Sequence, residues 1–516
     1  MKVVIPEEMI QLERQAMADL SLSEEILMER AGMSVARGVV SHFPDVSKVV
    51  ALAGKGNNGG DALVALRELH SRGIAVSAVL TTPESDCGPS VLREIRRLKF
   101  LEIGVDSVVS SRSWHRISHA DLLIDGILGT GFHGLLPPDL LSTVQRINQM
   151  GKKVVAVDIP SGVDGRTAEV PSEAIKAFLT VTFALPKWGI LADPGHRYAG
   201  KIVVSDIGIP PGLLKSGSAM VLTGKEAAGW LPERGPFIHK GVAGHVAVWG
   251  GGAGKRGAAE LAALGALRSG SGLATVLFAE NEGEILPRNP EIMVDMIKFP
   301  FEDLLEKVDV LAVGPGLGRG SLPTSSVKRL LDDFNGPMVA DAGVFDLFRG
   351  DIGQIVRLNK KPLVLTPHPG ELARLLDRSV PEILACAKEI ALETARITRA
   401  VVLLKGWRTI VAGPDGELAV NLTGSSNMAT AGMGDLLTGI ISSLMGQGVS
   451  PFRAAVLGAY VHGIAGELAW KSGKTCGLLA HELSEWLPFA LMKVRESKSP
   501  HCTPDTPLYE PLELTP

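Results

Sequence analysis

The chain has 516 residues, 52 Lys+Arg against 56 Asp+Glu (formal charge −4), and is 45% hydrophobic and 21% charged. A single core rarely grows past about 250–300 residues, so the length calls for two domains. The near-balanced charge gives no global attraction to nucleic acid or to an anionic membrane. The four cysteines, Cys87, Cys386, Cys476 and Cys502, form no C-x-x-C pair, so neither a disulfide framework nor a zinc site is suggested. This fits a reducing, cytoplasmic setting. The start lacks the apolar run of a signal peptide. Charge-free stretches such as 436–452 are broken by Gly, Ser, Gln and Pro, unlike a membrane span.

The first helical signal lies at 23–32, where Leu27, Ala31, Val35 and Val39 recur every four residues and predict one apolar stripe. Short apolar runs follow at 49–53, 75–80, 121–124, 154–157 and 180–184. Runs of this length, apolar on both faces, suit a parallel sheet covered by helices, a Rossmann-like αβα sandwich. Pro210-Pro211-Gly212 and Ser216-Gly217-Ser218 mark a linker at about 210–225. The second half repeats the α/β pattern with runs at 246–249, 273–278, 310–313, 338–340, 363–365 and 401–404, then two long helices at about 433–445 and 451–472. From 497 on, the Pro- and Ser/Thr-rich end reads as a disordered tail. The expected division is therefore 1–215, 220–495 and a tail at 496–516.

In the first half, Gly54-Lys55-Gly56-Asn57-Asn58-Gly59-Gly60-Asp61 follows a strand and opens a helix. Its G-x-G-x-x-G spacing lets a backbone approach a phosphate at a helix N-terminus. The bland alternative is a tight turn with Asp61 as helix cap. Two more loops follow strands: Asp125-Gly126-Ile127-Leu128-Gly129-Thr130-Gly131 and Asp158-Ile159-Pro160-Ser161-Gly162-Val163-Asp164. Loops after parallel strands converge on one crevice, which brings Asn58, Asp125, Asp158 and Ser161 together as oxygen donors suited to a hard cation.

In the second half, Gly250-Gly251-Gly252-Ala253-Gly254-Lys255 fails as a phosphate-binding P-loop, because Trp249 stands five residues before Gly254 and Arg256 follows the lysine. The stronger signal is Ala431-Gly432-Met433-Gly434-Asp435 entering a helix. Gly432 and Gly434 leave amides open for an anion, and Asp435 stands where a carboxylate can take the proton of an attacking hydroxyl, as phosphoryl transfer requires. A helix cap is the alternative role for Asp435. Gly314-Pro315-Gly316-Leu317-Gly318, Thr366-Pro367-His368-Pro369-Gly370-Glu371 and Lys405-Gly406-Trp407-Arg408-Thr409 also follow strands.

The strings G-K-G-N-N-G-G-D, D-G-I-L-G-T-G and D-I-P-S-G-V-D, with Pro186-Lys187-Trp188-Gly189, resemble the NAD(P)H-hydrate epimerase family over about residues 1–212. The resemblance implies a hydrate site at Asn57, Asn58, Gly59, Gly60, Asp61, Gly129, Thr130, Gly131, Phe132, His133, Gly134, Leu135 and Asp158. It further implies K+ at Asn58, Asp125 and Ser161, with Asp158 as the acid/base residue. Ala62 stands where the family usually has glycine. From His239 to Leu487 the chain resembles the ribokinase-like fold and, within it, the ADP/ATP-dependent NAD(P)H-hydrate dehydratase family, through Gly257-Ala258, G-P-G-L-G, T-P-H-P-G-E, K-G-x-x-T, A-G-M-G-D and Ala459-Tyr460-Val461-His462-Gly463. This implies hydrate contacts at Ala258, Gly316, His368 and Asp435. Nucleotide contacts are implied at Lys405, Gly406, Trp407, Arg408, Thr409 and Gly434. Leu479-Ala480-His481-Glu482-Leu483 departs from the Ala-Ser-Asp-Leu common in the family.

Together the two resemblances imply a cytoplasmic, homo-oligomeric repair enzyme for hydrated NADH and NADPH. It would interconvert the R and S hydrates in its first half. In its second half it would dehydrate the S form with ADP and Mg2+, releasing AMP and phosphate. The alternatives are a ribokinase-type small-molecule kinase with a non-catalytic N-terminal binding domain, a scaffold of the kind found in RNA decay, and a dehydrogenase read from G-x-G-x-x-G alone. Retained Asp158 and the lack of a basic patch oppose the scaffold, and no hydride-transfer constellation accompanies the glycine loop.

Overall fold

A computed structural model describes residues 1–107, 110–279, 287–297, 306–318, 333–353, 361–497 and 507–509, with Arg329 and Ile355 at isolated positions. The chain forms two compact units, Met1–Met220 with His501–Pro516, and Val221–Pro500. The division falls inside the stretch read as a linker. No helix among the described residues is long and apolar enough to cross a membrane.

The first unit runs β1 (Lys2–Val3), α1 (Pro6–Leu20), α2 (Glu24–His42), β2 (Lys48–Ala53), α3 (Asn57–Ser71), β3 (Ala75–Leu80), α4 (Pro89–Phe100), β4 (Gly104–Ser107), α5 (Ser111–Ser118), β5 (Leu122–Gly126), α6 (Pro138–Gln149), β6 (Lys153–Val157), β7 (Leu179–Phe183), α7 (His196–Ala199), β8 (Lys201–Ser205) and β9 (Ala219–Met220). Its sheet has the order β8-β7-β6-β5-β2-β3-β4, parallel throughout. Alternate residues of β2 enter different cores: Val49, Ala51 and Ala53 one, Val50 and Leu52 the other. This is why the run reads as apolar on every residue. Ser23 caps α2 by accepting from the Ile26 amide, and the stripe Leu27, Ala31, Val35, Val39 is buried. Asp121, expected in β5, lies just before it and accepts from Ser47 and Lys48 instead. Helix α1, absent from the sequence reading, buries Pro6 and a narrow stripe of Met9, Leu12 and Ala16 in a polar segment. Most of the tail expected to be disordered lies outside the described residues; Pro507–Tyr509 within it forms a short strand antiparallel to β8.

The second unit runs α8 (Gly224–Trp230), β10 (His245–Trp249), α9 (Arg256–Arg268), β11 (Leu273–Ala279), β12 (Met293–Ile297), β13 (Val310–Val313), β14 (Met338–Ala340), α10 (Gly343–Leu347), β15 (Leu363–Leu365), α11 (Pro369–Leu376), α12 (Val380–Ala385), α13 (Ala387–Thr398), β16 (Val401–Leu404), β17 (Ile410–Ala412), β18 (Leu418–Val420), α14 (Met433–Gly446), α15 (Pro451–Lys471) and α16 (Ala480–Glu496). Strand order is β18-β17-β16-β15-β14-β13-β10-β11-β12, parallel from β16 to β12 and antiparallel at β17 and β18. Both units are thus doubly wound α/β sheets, and the expected runs fall on strands to within one or two residues.

In each unit the strand order reverses beside the first long strand, between β2 and β5 and between β10 and β13. Such switch points open a crevice at the carboxyl ends of the strands. The loops there touch. The Gly54 amide donates to the Gly126 carbonyl at 3.0 Å, and the Gly314 amide to Trp249 at 3.0 Å. A Cβ on Gly54 would overlap the Ile127 carbonyl, and one on Gly250 the Pro315 carbonyl.

Glycine also sets how closely α9 and α14 cross. A side chain on Gly439 would meet the Ala262 carbonyl, and one on Gly265 the Leu436 carbonyl. Gly229, in α8, has nothing within 4 Å of the corresponding position. Gly439→Ala is therefore expected to destabilise the second unit by about 1–3 kcal/mol through overpacking. Gly229→Ala should be neutral or stabilising by up to about 1 kcal/mol. Calorimetric Tm values of the two variants should move in opposite directions, or only the first should move; equal losses would refute the packing account.

Candidate active sites

In the first unit the Asn57–Asp61 turn begins α3, directly after β2. Asn58 commits its amide nitrogen to the Leu128 carbonyl at 2.8 Å, which turns Oδ1 the other way. Oδ1 lies 3.4 Å from where a side chain on Gly129 would begin. Asp125, at the end of β5, is fully buried. It accepts from the Ser161 amide at 2.8 Å, the Ser161 hydroxyl at 2.6 Å and the Ile127 amide at 3.3 Å. Burial pushes its carboxyl up to about 6 against these hydrogen bonds. No cationic side chain pairs with it among the described residues, so a buried carboxylate sits with only neutral donors. The three loops do bring Asn58, Asp125 and Ser161 together, as one carboxylate, one amide oxygen and one hydroxyl. That donor set fits a hard monovalent cation. Ala62 does not crowd the loop: its methyl faces Gly126, where a Cβ would come within 2.5 Å. The departure from the family's glycine is absorbed by the missing side chain opposite.

Asp158 follows β6 with φ of +64°, a left-handed conformation that costs a non-glycine residue and that clusters at functional sites. Three donors converge on its Oδ1: the Lys187 ammonium at 2.6 Å, the Thr182 hydroxyl at 2.7 Å and the Phe183 amide at 3.4 Å. Lys187 is 1% exposed, and its ammonium also donates to Thr182 and the Phe183 carbonyl. Among the described residues no hydrogen bond reaches the other Asp158 oxygen. Asp61 is buried nearby; desolvation first, then the charges of Asp158 and Glu13, push its carboxyl well above the usual range. Glu13 is raised in the same way, by burial before Asp158. The sequence reading gave Lys187 a secondary place and missed Thr182 and Glu13. A lysine in a Pro-Lys-Trp-Gly string carries no sign that it will be buried. The Gly129–Leu135 loop meets the crevice at Gly129, while His133, Gly134 and Leu135 are exposed.

In the second unit Gly432, with φ of +88°, caps α14, and Asp435 stands in its first turn. The Lys405 ammonium lies 3.2 Å from where a side chain on Gly434 would begin. It donates to Asp341 at 2.8 Å and is 3.7 Å from Glu371. Asp341, 1% exposed, also accepts from the Thr438 hydroxyl at 2.9 Å. Burial, then the charge of Asp341, raises the Asp435 carboxyl to about 7, with Lys405 opposing and Glu371 adding. Burial lowers Lys405, but Asp341, Glu371 and Asp435 outweigh it, so its ammonium is held more firmly than usual. Asp341 was not singled out from the sequence; it follows a three-residue strand and precedes Ala342, whose φ is +47°.

Gly316, with φ of +72°, lies against Lys255 and Ala258, and its carbonyl accepts from the Gly252 amide at 3.1 Å. The failed P-loop is thus a switch-point loop that packs against the Gly314–Gly318 loop. His368 is the cap of α11: its Nδ1 accepts from the Gly370 and Glu371 amides, while Glu371 accepts from the His368 amide. Half of its side chain stays exposed, while Nε2 lies 3.3 Å from the Glu371 carboxylate. A cavity of about 400 Å³ is lined by Lys405, Gly406, Trp407, Thr409, Gly434 and His462, among others. Arg408 is not in that lining. It is buried, and its guanidinium donates to the Leu422 carbonyl at 2.9 Å. Of the Lys405–Thr409 run, it is the one residue outside the cavity lining, its side chain turned to the Leu422 backbone.

Two family models match the chain. One, described as NAD(P)H-hydrate dehydratase, covers residues 246–489, and one, described as YjeF-related protein N-terminus, covers 24–189. The bifunctional NAD(P)H-hydrate repair enzyme Nnr of Moorella thermoacetica is 38% identical over 96% of this chain and 98% of its own length. The chain belongs to the bifunctional NAD(P)H-hydrate repair enzyme family. The enzyme of the same name from Escherichia coli is 34% identical over 91% of this chain and 90% of its own. A solved structure of ADP/ATP-dependent NAD(P)H-hydrate dehydratase from Bacillus subtilis, co-crystallised with ATP/Mg2+, is 32% identical, with a TM-score of 0.47, over 54% of this chain and 99% of that one. The chain is accordingly a bifunctional enzyme of NAD(P)H-hydrate repair, joining an epimerase to a dehydratase.

The raised Asp435 carboxyl makes a stability prediction. Its folded pKa, about 7, lies above the unfolded value of 3.8, so its contribution to stability is fully present below about pH 4 and is lost as pH rises through 7. Asp435→Asn removes that dependence. The variant should have a higher Tm than wild type at pH 8, by about 2–4 °C per kcal/mol gained, with the gain vanishing near pH 4. A Tm lowered at pH 8 would show that the carboxylate stabilises the fold instead.

Proposed function

We propose that Asp435 is the general base of dehydration and that Lys405, Gly406, Trp407, Thr409 and Gly434 hold the phosphoryl donor, ADP with Mg2+. The observation that carries this reading is a half-buried carboxylate in the first turn of α14, with its proton affinity near neutrality and the Lys405 ammonium beside the same turn. Asp435 takes the proton of the hydrate hydroxyl, and the hydroxyl oxygen attacks the terminal phosphorus of ADP as AMP leaves. The carbon–oxygen bond then breaks with phosphate as leaving group, a proton leaves the adjacent ring carbon, and the ring double bond re-forms. Amides at the α14 start and the Lys405 ammonium neutralise the charge that develops during transfer. Mg2+ would supply further neutralisation of the nucleotide phosphates. Ala258, Gly316 and His368 lie on the hydrate side.

In the first unit we assign proton transfer at the hydrated carbon to Asp158, held by Lys187, with Asn57–Asp61 and Gly129–Leu135 as walls. Asn58, Asp125 and Ser161 are assigned to K+, whose charge would compensate the unpaired Asp125 carboxylate.

Asp435→Asn keeps shape and capping ability, since the two residues rank alike as caps. It should lose about 10²–10⁴-fold in turnover while retaining ADP affinity. In the wild type, dehydration should fall as pH drops below about 7, where Asp435 becomes protonated. Stopped assays of dihydronicotinamide absorbance recovery on purified S hydrate, with calorimetric ADP titrations, test both points; near-normal turnover of the variant would end the assignment.

The epimerase assignment predicts that Asp125→Ala abolishes K+ stimulation of epimer exchange while dehydration of the S form persists. Lys187→Met should remove exchange and also destabilise the first unit by about 3–5 kcal/mol, because Asp158 is left as a buried unpaired charge. Chromatographic separation of R and S hydrates over time, with and without KCl, is the readout. K+ stimulation that survives in Asp125→Ala would place the cation elsewhere.

A further inference from the structure

Among the described residues that line the cavity of the second unit, His462 has a buried ring nitrogen without a hydrogen-bond partner. Asn421 donates to the Thr423 and Ala459 carbonyls. The Thr423 hydroxyl donates to Asn421 Oδ1 and the Tyr460 carbonyl, and the Ser425 hydroxyl pairs with Asn427. His462 also lines the cavity but differs from these three. It is 8% exposed, and its Nε2 is buried without a partner among the described residues. Among the described residues no hydrogen bond reaches its Nδ1, which is not enclosed as Nε2 is and so is the ring nitrogen open to the cavity that His462 lines. Burial drives its pKa down to about 4, so the ring is a neutral imidazole with one donor and one acceptor.

The backbone explains why it sits there. Gly463 lets α15 press against Thr423, since a Cβ would overlap the Thr423 hydroxyl. Ala459 and Gly463 are small, so His462 is the large side chain that α15 presents beside them. Buried polar groups in native proteins are nearly always satisfied, so the enclosed nitrogen bears on which tautomer the ring adopts. An orphaned acceptor nitrogen is less costly than an orphaned N–H, which favours the tautomer with its lone pair buried on Nε2 and its proton on Nδ1, toward the cavity.

We propose that His462 donates a hydrogen bond to a ring nitrogen of the nucleotide's adenine base, making it a specificity-determining residue of the dehydratase. The inference rests on the reading of this cavity as the nucleotide site. It names the base-recognising group, which is distinct from the phosphate-side residues Lys405 and Gly434.

The test uses the full-length enzyme and ADP analogues in which one ring nitrogen is replaced by carbon: 1-deaza-, 3-deaza- and 7-deaza-ADP. The wild type should bind one of the three about tenfold more weakly than ADP, as expected for a buried donor left unsatisfied. His462→Phe should bind ADP about tenfold more weakly and no longer distinguish that analogue from ADP. His462→Gln, which restores a side-chain donor, should recover part of the discrimination. If His462→Phe does not fold, the analogue series on the wild type decides alone. Equal binding of all three analogues and ADP overturns the proposal, as does discrimination that persists in His462→Phe. A separate control isolates the underlying reading. If Lys405→Ala leaves ADP affinity unchanged, the cavity is not the nucleotide site; if Lys405→Ala weakens ADP while the analogues bind alike, the cavity stands and only the base contact fails.

Discussion

Both units depend on the close approach of two loops at the point where the strand order reverses. Parallel strands end on the same edge of a sheet, and a reversal splits the helices to opposite faces, so two consecutive loops must turn apart there. In the first unit the backbone contact is Gly54 against Gly126 and Ile127; in the second it is Gly250 and Gly314 against Trp249 and Pro315. Neither contact tolerates a Cβ. Once these loops are in register, Asn58 and Asp125 fall on one side of the first crevice, and Ala258 and Gly316 become neighbours in the second. The helices that start at the crevice, α3 and α14, then bring Asp61 and Asp435 to it.

The two sites handle buried charge differently. Asp158 is balanced by Lys187 at hydrogen-bond distance, an arrangement in which removing one partner is costly because the other is left desolvated. Among the described residues Asp125 has only neutral donors, and burial raises its proton affinity against them. Asp435 lies between these cases. Lys405 opposes its protonation, but Asp341 and Glu371 compete for the same ammonium, and burial prevails. A base poised near pH 7 is what proton abstraction at neutral pH needs. The same desolvation weakens the fold as pH rises, so catalytic fitness and stability pull against each other at this residue.

Residues proposed for binding also serve local structure. His368 caps α11 through Nδ1, which accepts from two amides and so places the ring proton on Nε2, toward the Glu371 carboxylate. Gly434 is a helix residue whose missing side chain makes room for the Lys405 ammonium. A capping role and a proposed binding role therefore need not be alternatives for such a residue.

The sequence by itself determined much of this protein. Apolar runs with no polar face announced parallel strands, because both faces of such strands are covered. Glycine strings at strand ends announced loops that must approach another backbone, and those strings carry Asp125, Asp158 and Asp435, the carboxylates proposed for the two sites. Those are local signals, carried by neighbours in the chain. Only the tertiary structure decided which charges face each other. Lys187 lies 29 residues from Asp158, and Asp341 lies 64 from Lys405 and 97 from Thr438. No local pattern distinguishes such a lysine or aspartate from a solvated one, because burial and pairing arise when separate strands and helices pack. For the same reason Arg408, adjacent to cavity residues in sequence, faces the interior, and His462, far from them in sequence, faces the cavity.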